Sequence, residues 1–465
     1  MIGRLRWLAL LLWIPLRGEL AITHVTIVDT AGGPPRTDMT VLAGGERITA
    51  LGKTGKVQIP RGVQEVQGQG KFLIPGLWDM HVHLASDKEA LLPMFVSHGI
   101  TGVRSMFDRL DQIRQWRKEI ADGLAGPRIL TAGPILDGPG SMWPGAMIVR
   151  TAEEGRQAVA NLRQGGADFV KVYNKLSREA YFAIADEARK MGMVFTGHVP
   201  AAITAAEASR AGQKSIEHLT GILAACSTEQ SELMQQLGEA ATLQGPASYP
   251  VYVRINARAA ETYSGEKAAA LFTLFRQNAT WQTPTLTVLR AMASLGDRDF
   301  TNDSRLRYIP APLQQFWNPA TSFIFKEFAT EDFARQKQIY RRQLEIAGAL
   351  HRAGVEMLAG TDTPNPYVFP GFSLHEELEL LVKAGLTPAE ALRTATYNPA
   401  KFLGLLDSSG TVDAGRIADL VLLDSNPIDD IANTRKIRAV VLNGRLFEKP
   451  QLDQMLKAVE ARVGR

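Results

Sequence analysis

The chain has 465 residues, of which 45% are hydrophobic and 22% are charged, and its formal net charge is only +4. This length can bury a large core and exceeds the usual size of one domain, so we expect one large domain and a smaller one. The lysines and arginines are scattered among acidic residues and form no basic stripe, which argues against nucleic-acid binding. The single cysteine, Cys226, excludes an internal disulfide and any metal site built from cysteines.

The N-terminal segment, residues 1–19, has the pattern of an export signal. Two arginines precede an apolar run over residues 7–16, which is too short to cross a bilayer as a helix. Arg17 and Glu19 occupy the region in which a small-residue cleavage site is expected. We therefore expect export to the periplasm or the extracellular space, with an uncleaved surface anchor or a misassigned start codon as the alternatives.

Both ends of the remaining chain have the pattern of short strands joined by turns. Near the N-terminus, "AITHVTIVDT" (21–30) alternates apolar and polar residues and leads into the turn-forming "GGPPRTD". Near the C-terminus, "IRAVVLNGRLF" (437–447) has the same character. Between these β-rich ends, apolar segments alternate with amphipathic helical patterns such as "SREAYFAIADEARKMG" (177–192).

Eight apolar segments can be counted in the middle of the chain. They lie at 72–81, 100–106, 128–134, 168–174, 193–198, 214–219, 279–287 and 355–362. Eight strands that alternate with helices predict a (β/α)8 TIM barrel rather than an open sheet. The long stretches 221–278 and 288–354 and the Gly/Pro-rich stretch 135–147 are then expected to form rim loops that shape a substrate pocket.

The first predicted barrel strand ends in "DMHVH", with His81 and His83 one residue apart. Side chains alternate between the two faces of a strand, so both imidazoles are expected on the same face. Such a pair can hold one metal ion, although a polar strand face that happens to contain histidine would look the same.

Lys171 is the unusual residue of the fourth predicted strand. In "FVKVY" the two valines suit the outer face under the helices, which places Lys171 inside the barrel. A buried, unpaired ammonium is costly, so the lysine is expected to lose its proton, find a partner or be modified. Reaction of the neutral amine with CO2 would give a carbamate that can bridge two cations; an ordinary buried ion pair is the alternative.

Other polar residues stand at the ends of later predicted strands. His198 ends the fifth strand, His218 ends the sixth, and Asp362 ends the eighth. Functional groups of a barrel gather at the C-terminal ends of its strands, so these three side chains are expected to meet His81, His83 and Lys171 in one cavity.

These motifs resemble those of the amidohydrolase superfamily. The resemblance rests on "DMHVH", "VKVY", "TGHVP", "SIEHLTG" and "AGTDTP", extends over most of residues 21–447, and is closest to the imidazolonepropionase-like branch with its metal-dependent dipeptidases. It implies that His81, His83 and Asp362 hold one divalent metal ion and that His198 and His218 hold a second. Carboxylated Lys171 would bridge the two ions, which separates this chain from one-metal relatives that have no bridging lysine.

The resemblance also implies a domain organisation. The family joins strands from both chain ends into a small β-sandwich beside the barrel. The expected division is 1–19 export or anchor segment, 20–72 β-sandwich, 73–403 (β/α)8 barrel, and 404–465 β-sandwich and tail.

The expected activity is hydrolysis of an amide C–N bond, most plausibly of a dipeptide (Xaa-Pro or related) or an N-acyl amino acid. Two metal ions, expected to be zinc, would lower the pKa of a shared water toward roughly 7, with Asp362 as the general base. The alternatives are a lactone, carbamate or phosphotriester substrate on the same site, or a catalytically inactive binding protein. No further partner beyond a small-molecule substrate is expected; a homo-oligomer is left open, and no membrane domain beyond the N-terminal segment is expected.

Three more residues are candidates for contact with the substrate. Tyr173 shares the inward face with Lys171, with packing as an equal alternative. Arg104 on the second strand could bind a substrate carboxylate, although a structural ion pair is the favoured interpretation. His375 follows the loop after the eighth strand and could lie behind the ligands.

Overall fold

A computed structural model describes residues 19–464 except 85, 86, 244, 323, 324 and 326. Most of the predicted export segment therefore lies outside the described residues. Seventeen strands occur: β1 Leu20–Ile27, β2 Arg36–Gly44, β3 Arg47–Lys53, β4 Gln64–Gln67, β5 Phe72–Pro75, β6 Leu77–Val82, β7 Ile100–Ser105, β8 Arg128–Thr131, β9 Leu136–Asp137, β10 Met147–Ile148, β11 Val170–Val172, β12 Phe195–Gly197, β13 Ser215–Glu217, β14 Trp281–Thr283, β15 Leu420–Leu423, β16 Ile437–Leu442 and β17 Arg445–Glu448.

The helices follow in the same chain order. They are α1 Lys88–Ser97, α2 Leu110–Ala121, α3 Ala152–Gly165, α4 Arg178–Lys190, α5 Ala205–Arg210, α6 Ile222–Ala225, α7 Gln230–Ala241, α8 Ser248–Glu261, α9 Gly265–Gln277, α10 Leu286–Ser294, α11 Arg298–Thr301, α12 Ala311–Trp317, α13 Thr330–Arg352, α14 Phe372–Ala384, α15 Pro388–Thr394, α16 Tyr397–Leu403 and α17 Lys449–Val463. Short 3-10 helices cover Gly245–Ala247, Ser304–Tyr308 and Ile431–Arg435. The fold is a mixed α/β fold.

The two β-rich ends of the chain meet in one eight-stranded sheet. Its order is β17-β16-β15-β5-β1-β2-β3, with β4 paired to β1. Strand β15 joins the two ends, because Val421 pairs antiparallel with Ile74 of β5. Leu420 and Leu422 belong to the apolar core of this sheet, whereas Val421 and Leu423 pack into the neighbouring core around β6 and β7. Because side chains alternate between the two faces of β15, one face packs in the core of its own sheet and the other packs in the neighbouring core, which attaches the sheet to the rest of the molecule.

Parallel strands form the centre of the molecule. Strands β6-β7-β8 make a three-stranded sheet, and β10-β9-β11-β12-β13-β14 make a six-stranded sheet. Each of the first seven predicted segments contains a strand. All three residues of β11 are buried, as expected for a parallel strand covered on both faces.

The eighth predicted segment, 355–362, has no assigned strand but lies between the two parallel sheets. The amide of Leu358 donates to the carbonyl of Gln282 in β14 at 2.9 Å. The amide of Met80 in β6 donates to the carbonyl of Ala359 at 2.9 Å. On the other side, the amide of Asp168 donates to the carbonyl of Thr131 and the amide of Thr131 donates to the Asp168 carboxylate, which links the segment before β11 to β8.

The predicted helix over 177–192 is α4, and its boundaries follow from local chemistry. The hydroxyl of Ser177 accepts from the amide of Ala180 and caps the first turn. The apolar stripe of the helix buries Tyr181 and Ile184 against the β11–β13 side of the core.

The two long stretches predicted as rim loops are largely helical. Residues 221–278 contain α6 to α9, and residues 288–354 contain most of α10 and α11 to α13. Helices satisfy the backbone hydrogen bonds that loops of this length would leave to solvent. Within the described part of the chain, no helix has the length and apolarity needed to cross a membrane.

His375 lies away from the position predicted for it. It is fully buried on α14, where Nδ1 lies 2.9 Å from Oγ1 of Thr434 and Nε2 lies 3.2 Å from the carbonyl of His98. His98 ends α1, and its Nδ1 donates to the carbonyl of Met94 at 2.7 Å. The structure thus corrects the substrate-contact prediction for His375, whose ring packs between an outer helix and the end of α1.

We expect the protein to lose stability as the pH falls below about 6.5. Burial lowers the pKa of His98 from 6.5 to about 4, and burial lowers the pKa of His375 well below its usual range. Below pH 6.5 the unfolded chain therefore binds protons that the folded chain does not, so the stabilisation is complete above that pH and is lost on acidification. Between about pH 7.5 and about pH 5, His98 alone should lower the free energy of unfolding, measured with urea, by about 2 kcal/mol.

In the His98→Asn variant the amide nitrogen can still donate to Met94, and the loss over this pH interval should be about 2 kcal/mol smaller. An unchanged pH dependence in this variant would contradict the assignment.

Candidate metal centre

Six polar side chains from five parallel segments point to one place. They are His81 and His83 at the end of β6, Lys171 in β11, His198 after β12, His218 after β13, and Asp362 after the eighth segment. Oδ1 of Asp362 lies 2.9 Å from Nε2 of His83 and 3.3 Å from Nε2 of His81. Ligand atoms of His81, His218 and Asp362 lie within 4.8 Å of one another. The structure therefore brings the sequence-predicted residues into a single cluster.

His198 completes the cluster from the side of β12. Its ring centroid lies 4.8 Å from that of His218, and its Nε2 is buried without a hydrogen-bond partner among the described residues. The Nδ1 of His83 is buried without a partner in the same way. Buried ring nitrogens in this state are rare, and a ligand to them would remove the penalty of their burial.

The other ring nitrogen of three histidines is fixed by an acceptor. Nδ1 of His81 lies 2.9 Å from a carboxylate oxygen of Glu217, and Nδ1 of His198 lies 2.7 Å from the amide oxygen of Asn174. Nδ1 of His218 lies 2.7 Å from Oγ1 of Thr285, whose hydroxyl donates to the carbonyl of Pro284. Each Nδ1 therefore carries the hydrogen, and each Nε2 keeps a free lone pair. This is the tautomer that binds a metal through Nε2.

Lys171 lies at the bottom of the cluster, 1% exposed, with Nζ 3.3 Å from Nε2 of His81. Burial lowers the pKa of Lys171 to about 8, although Asp362 and Glu217 favour the charged form. The same burial, with Lys171 beside them, holds the pKa of His81 and His198 well below the usual value. Burial therefore favours the neutral form of His81 and His198, which is the state that coordinates a metal.

The backbone that carries Asp362 is held by Asp79 of β6, which binds the preceding residue, Thr361. The backbone at Asp362 has φ 65°, a left-handed conformation that few residues other than glycine adopt. Two residues before β6 reaches His81, Asp79 accepts from the amide of Thr361 at 3.0 Å and from its hydroxyl at 2.7 Å. Burial alone would raise the pKa of Asp362, but His218 and His83 beside it hold the pKa below 3.8. The carboxylate is thus oriented and ionised.

The residues fit a divalent metal site. Neutral imidazoles and a carboxylate are the ligand types that zinc and its neighbours in the first transition row prefer. His198, whose Nε2 has no partner among the described residues, and His83, whose Nε2 lies 2.9 Å from the ionised carboxylate of Asp362, belong to the same cluster. His81, His83, His198, His218, Asp362 and Lys171 are the residues that could hold such ions.

Of the predicted substrate contacts, Tyr173 lies beside the cluster. Its ring centroid is 4.2 Å from that of His198, and its hydroxyl accepts from Nε1 of Trp143 at 2.8 Å. Trp143 belongs to the predicted rim stretch 135–147 and packs against a large aromatic cluster that contains Trp317 and Tyr367.

Arg104 does not face a substrate. It is fully buried, and Nη2 donates to both carboxylate oxygens of Glu217 at 2.9 and 3.0 Å. The structural ion pair that the sequence favoured for Arg104 is therefore present, and the substrate-carboxylate role is corrected.

Sequence reasoning missed the residues that orient the ligands. Glu217, Asn174 and Thr285 are ordinary polar residues in the sequence, and alternation along β13 would place Glu217 on the face opposite His218. The left-handed backbone of His218, with φ 58°, breaks that alternation and lets both side chains serve the cluster.

Comparison with known proteins agrees with this geometry. The model of the amidohydrolase family matches residues 303–447. Ochratoxinase of Aspergillus niger is 23% identical over an alignment of 443 positions, and the match covers 81% of this chain and 76% of that protein.

Two solved structures share the fold over nearly the whole chain. A protein from Bifidobacterium longum assigned as a prolidase is 25% identical, with a TM-score of 0.68 and coverage of 96% of this chain and 100% of the other. Bottromycin amidohydrolase is also 25% identical, with a TM-score of 0.75 and coverage of 96% and 90%. With the family match over residues 303–447 and the histidine cluster, these similarities support assignment of the chain to the amidohydrolase superfamily and to the hydrolases that act on C–N bonds.

Proposed function

We propose that the protein is a binuclear metal-dependent amidohydrolase that cleaves the amide C–N bond of a dipeptide, Xaa-Pro or related, or of an N-acyl amino acid. The observation that carries the proposal is the convergence of four histidines, Asp362 and buried Lys171 on one cluster. The names of the similar proteins, a prolidase, an ochratoxinase and an amidohydrolase, support an amide substrate.

Each residue of the cluster has a proposed role toward the metal ions. His81, His83 and Asp362 would hold one divalent ion, most suitably zinc, and His198 and His218 would hold the second. Manganese and cobalt accept the same ligand set. When bound, a pair of such ions lowers the pKa of a water between them and polarises a carbonyl oxygen.

Lys171 is proposed to be carboxylated. Its neutral amine would add to the carbon of CO2 and release one proton, which converts a buried cation into a carboxylate-like group. A pKa of about 8 leaves part of the amine neutral near that pH. The new anion would face four imidazoles and their ions instead of adding a like charge to them.

Asp362 is proposed as the general base and then the general acid. Its carboxylate is 12% exposed and ionised, and it reaches both His81 and His83. It would take the proton of the attacking water and return that proton to the leaving amine. Tyr173 and Trp143 would border the substrate on the side of His198.

The wider organisation is proposed on the same basis. Backbone hydrogen bonds link the two parallel sheets on both sides, through the eighth segment on one side and from Asp168 to Thr131 on the other, which supports a (β/α)8 barrel over 73–403. The eight-stranded sheet would then be the β-sandwich built from 20–72 and 404–465. Export through residues 1–19, a small-molecule substrate as the main partner and assembly into a homo-oligomer remain predictions from the sequence.

A substrate screen tests the proposed function. Purified protein loaded with Zn²⁺ should hydrolyse members of a library of dipeptides and N-acyl amino acids, with amine release as the measurement. Asp362→Asn should lower turnover by about 100-fold or more, because an amide cannot accept the proton. Activity confined to lactones, carbamates or phosphotriesters would overturn the amide assignment, and no hydrolysis of any member would favour an inactive binding protein.

Removal of Lys171 tests the bridging group. Lys171→Ala should bind less metal per chain, measured by elemental analysis, and should lose about 100-fold or more of its activity, because one anionic ligand is missing. Incubation of the wild type with ¹³C-bicarbonate should give a carbamate ¹³C signal that the variant lacks. Lys175→Ala is the matched control, since among the described residues the hydrogen bond of its Nζ goes to the carbonyl of Leu243, at 2.7 Å, and not to the cluster. Full metal content in Lys171→Ala would contradict the bridge.

A substitution at Gly360 tests the position of His81. A Cβ at Gly360 would lie 2.8 Å from Cβ of His81, 2.9 Å from its amide nitrogen and 2.7 Å from Cγ2 of Thr283. Gly360→Ala should therefore displace His81 and weaken metal binding by about 10-fold or more, with about 1–3 kcal/mol lost from the free energy of unfolding. Gly238→Ala on α7, where a Cβ meets open space, is the control; it should leave metal affinity unchanged and should not lower the free energy of unfolding, because alanine favours the helix more than glycine does. Wild-type metal affinity in Gly360→Ala would show that the strand end is not packed this tightly.

A further inference from the structure

We infer that Glu217 and Arg104 form a positioning pair that holds His81 in its metal-binding tautomer, with Glu217 as the acceptor for Nδ1 of His81 and Arg104 as the group that fixes Glu217. The inference rests on the proposed metal site. It assigns a role to two buried residues that take no part in the reaction itself.

Glu217 lies inside the molecule, with no exposed surface, one residue before His218. Oε2 lies 2.9 Å from Nδ1 of His81 and 3.0 Å from Nη2 of Arg104. Oε1 accepts from the hydroxyl of Ser215 and, at 2.9 Å, from Nη2 of Arg104. Both oxygens are therefore occupied by donors, so Glu217 is a support and not a further metal ligand.

A carboxylate in this position decides which nitrogen of His81 carries the hydrogen. It accepts only, so Nδ1 must donate, and Nε2 is left with its lone pair. Nε2 is the atom that faces the cluster, 3.3 Å from Oδ1 of Asp362 and 3.3 Å from Nζ of Lys171. Without this acceptor the neutral ring could place its hydrogen on Nε2, where it would block a metal ion.

Arg104 is held as firmly as the carboxylate that it supports. Nε donates to the carbonyl of Met80 at 2.6 Å, Nη1 donates to Oγ of Ser215 at 3.1 Å, and Nη2 donates to Oγ1 of Thr283 at 3.2 Å. The guanidinium carbon also lies 5.2 Å from the ring centroid of Phe402. The bond to Met80, the residue before His81, ties the guanidinium to the strand that carries the histidine.

A buried ion pair is rarely the most stabilising choice for a protein core. Two apolar residues of similar size are often equally stable or better. A role in orienting His81 accounts for the charges, because an apolar pair would leave Nδ1 without an acceptor.

The geometry makes Glu217→Gln a disruptive change rather than a conservative one. Nη2 of Arg104 contacts both oxygens, so either orientation of the amide places an NH2 group against the guanidinium. Removing the guanidinium as well frees the amide, whose oxygen can then face Nδ1 of His81. The charge-free double variant Arg104→Met/Glu217→Gln should therefore bind metal better than Glu217→Gln alone.

The experiment measures Co²⁺ binding to the full chain, with affinity from chelator competition and the visible spectrum of bound Co²⁺ as a second readout. Glu217→Gln should bind about 10- to 100-fold more weakly than the wild type with an altered spectrum. Arg104→Met/Glu217→Gln should recover to within about 10-fold of the wild type with the original spectrum. The control is Glu377→Gln, another fully buried glutamate, which caps α10 through the amides of Leu286 and Thr287; it should leave Co²⁺ affinity and spectrum unchanged.

Two charge-free variants keep the test decisive if Glu217→Gln does not fold. Arg104→Met/Glu217→Gln and Arg104→Met/Glu217→Leu differ in the acceptor offered to His81, and the first should bind Co²⁺ about 10-fold or more tightly than the second. Equal affinities in this pair, or wild-type affinity and spectrum in Glu217→Gln, would overturn the inference. A wild-type protein that binds no Co²⁺ would instead count against the proposed metal site.

Discussion

The candidate metal centre depends on the burial of several imidazoles and one ammonium around a single ionised carboxylate. If they were exposed to solvent, some of these rings would be protonated near neutral pH and the lysine would be a hydrated ammonium. In the interior, desolvation lowers the pKa of His81, His198 and Lys171, while Asp362 stays ionised because cationic and polar groups surround it. The cluster is thus prepared for cations before any cation arrives, and the rest of the fold supplies the burial.

The parallel strands supply that burial, and several residues at their ends adopt an unfavourable left-handed backbone conformation. His218, Thr285 and Asp362 all have positive φ, at 58°, 48° and 65°, and all three stand where a strand or strand-like segment ends. Left-handed backbone is unfavourable for such residues and persists only where the surroundings fix it. Here the hydroxyl of Thr285 fixes His218, and Asp79 fixes the loop before Asp362. The strained ends turn the side chains inward over the cluster.

The sequence identified the residues that form this cluster because their signal is local. His81 and His83 share a face by strand alternation, and Lys171 is conspicuous as a cation between two valines. Seven of the predicted strand positions also contain strands, since a parallel strand covered on both faces appears as a short apolar run. The eighth was recognisable as an apolar segment but has too few ladder bonds to be a strand in the structure. The helical nature of 221–278 and 288–354 was missed because length alone was read as loop.

The orienting residues could not be predicted in the same way. Their function depends on a contact across 136 positions for His81 and Glu217, and on a break in alternation that only the φ of His218 reveals. His375 shows the opposite error, because proximity in sequence to the eighth segment suggested a role that is at odds with its full burial between Thr434 and His98.

Arg104 combines a residue that stands out in the sequence with a partner that only the structure reveals. The sequence favoured a structural ion pair for Arg104 over a contact with a substrate anion, and in the structure its anion is the internal carboxylate of Glu217. The buried guanidinium of Arg104 needs a carboxylate, which is Glu217. Glu217 in turn is fixed by its donors, and one of them is Nδ1 of His81, the ring nitrogen that faces away from the cluster. The charges buried beneath the cluster are therefore best understood as part of the metal centre, since they set the orientation of a ligand rather than the stability of the core.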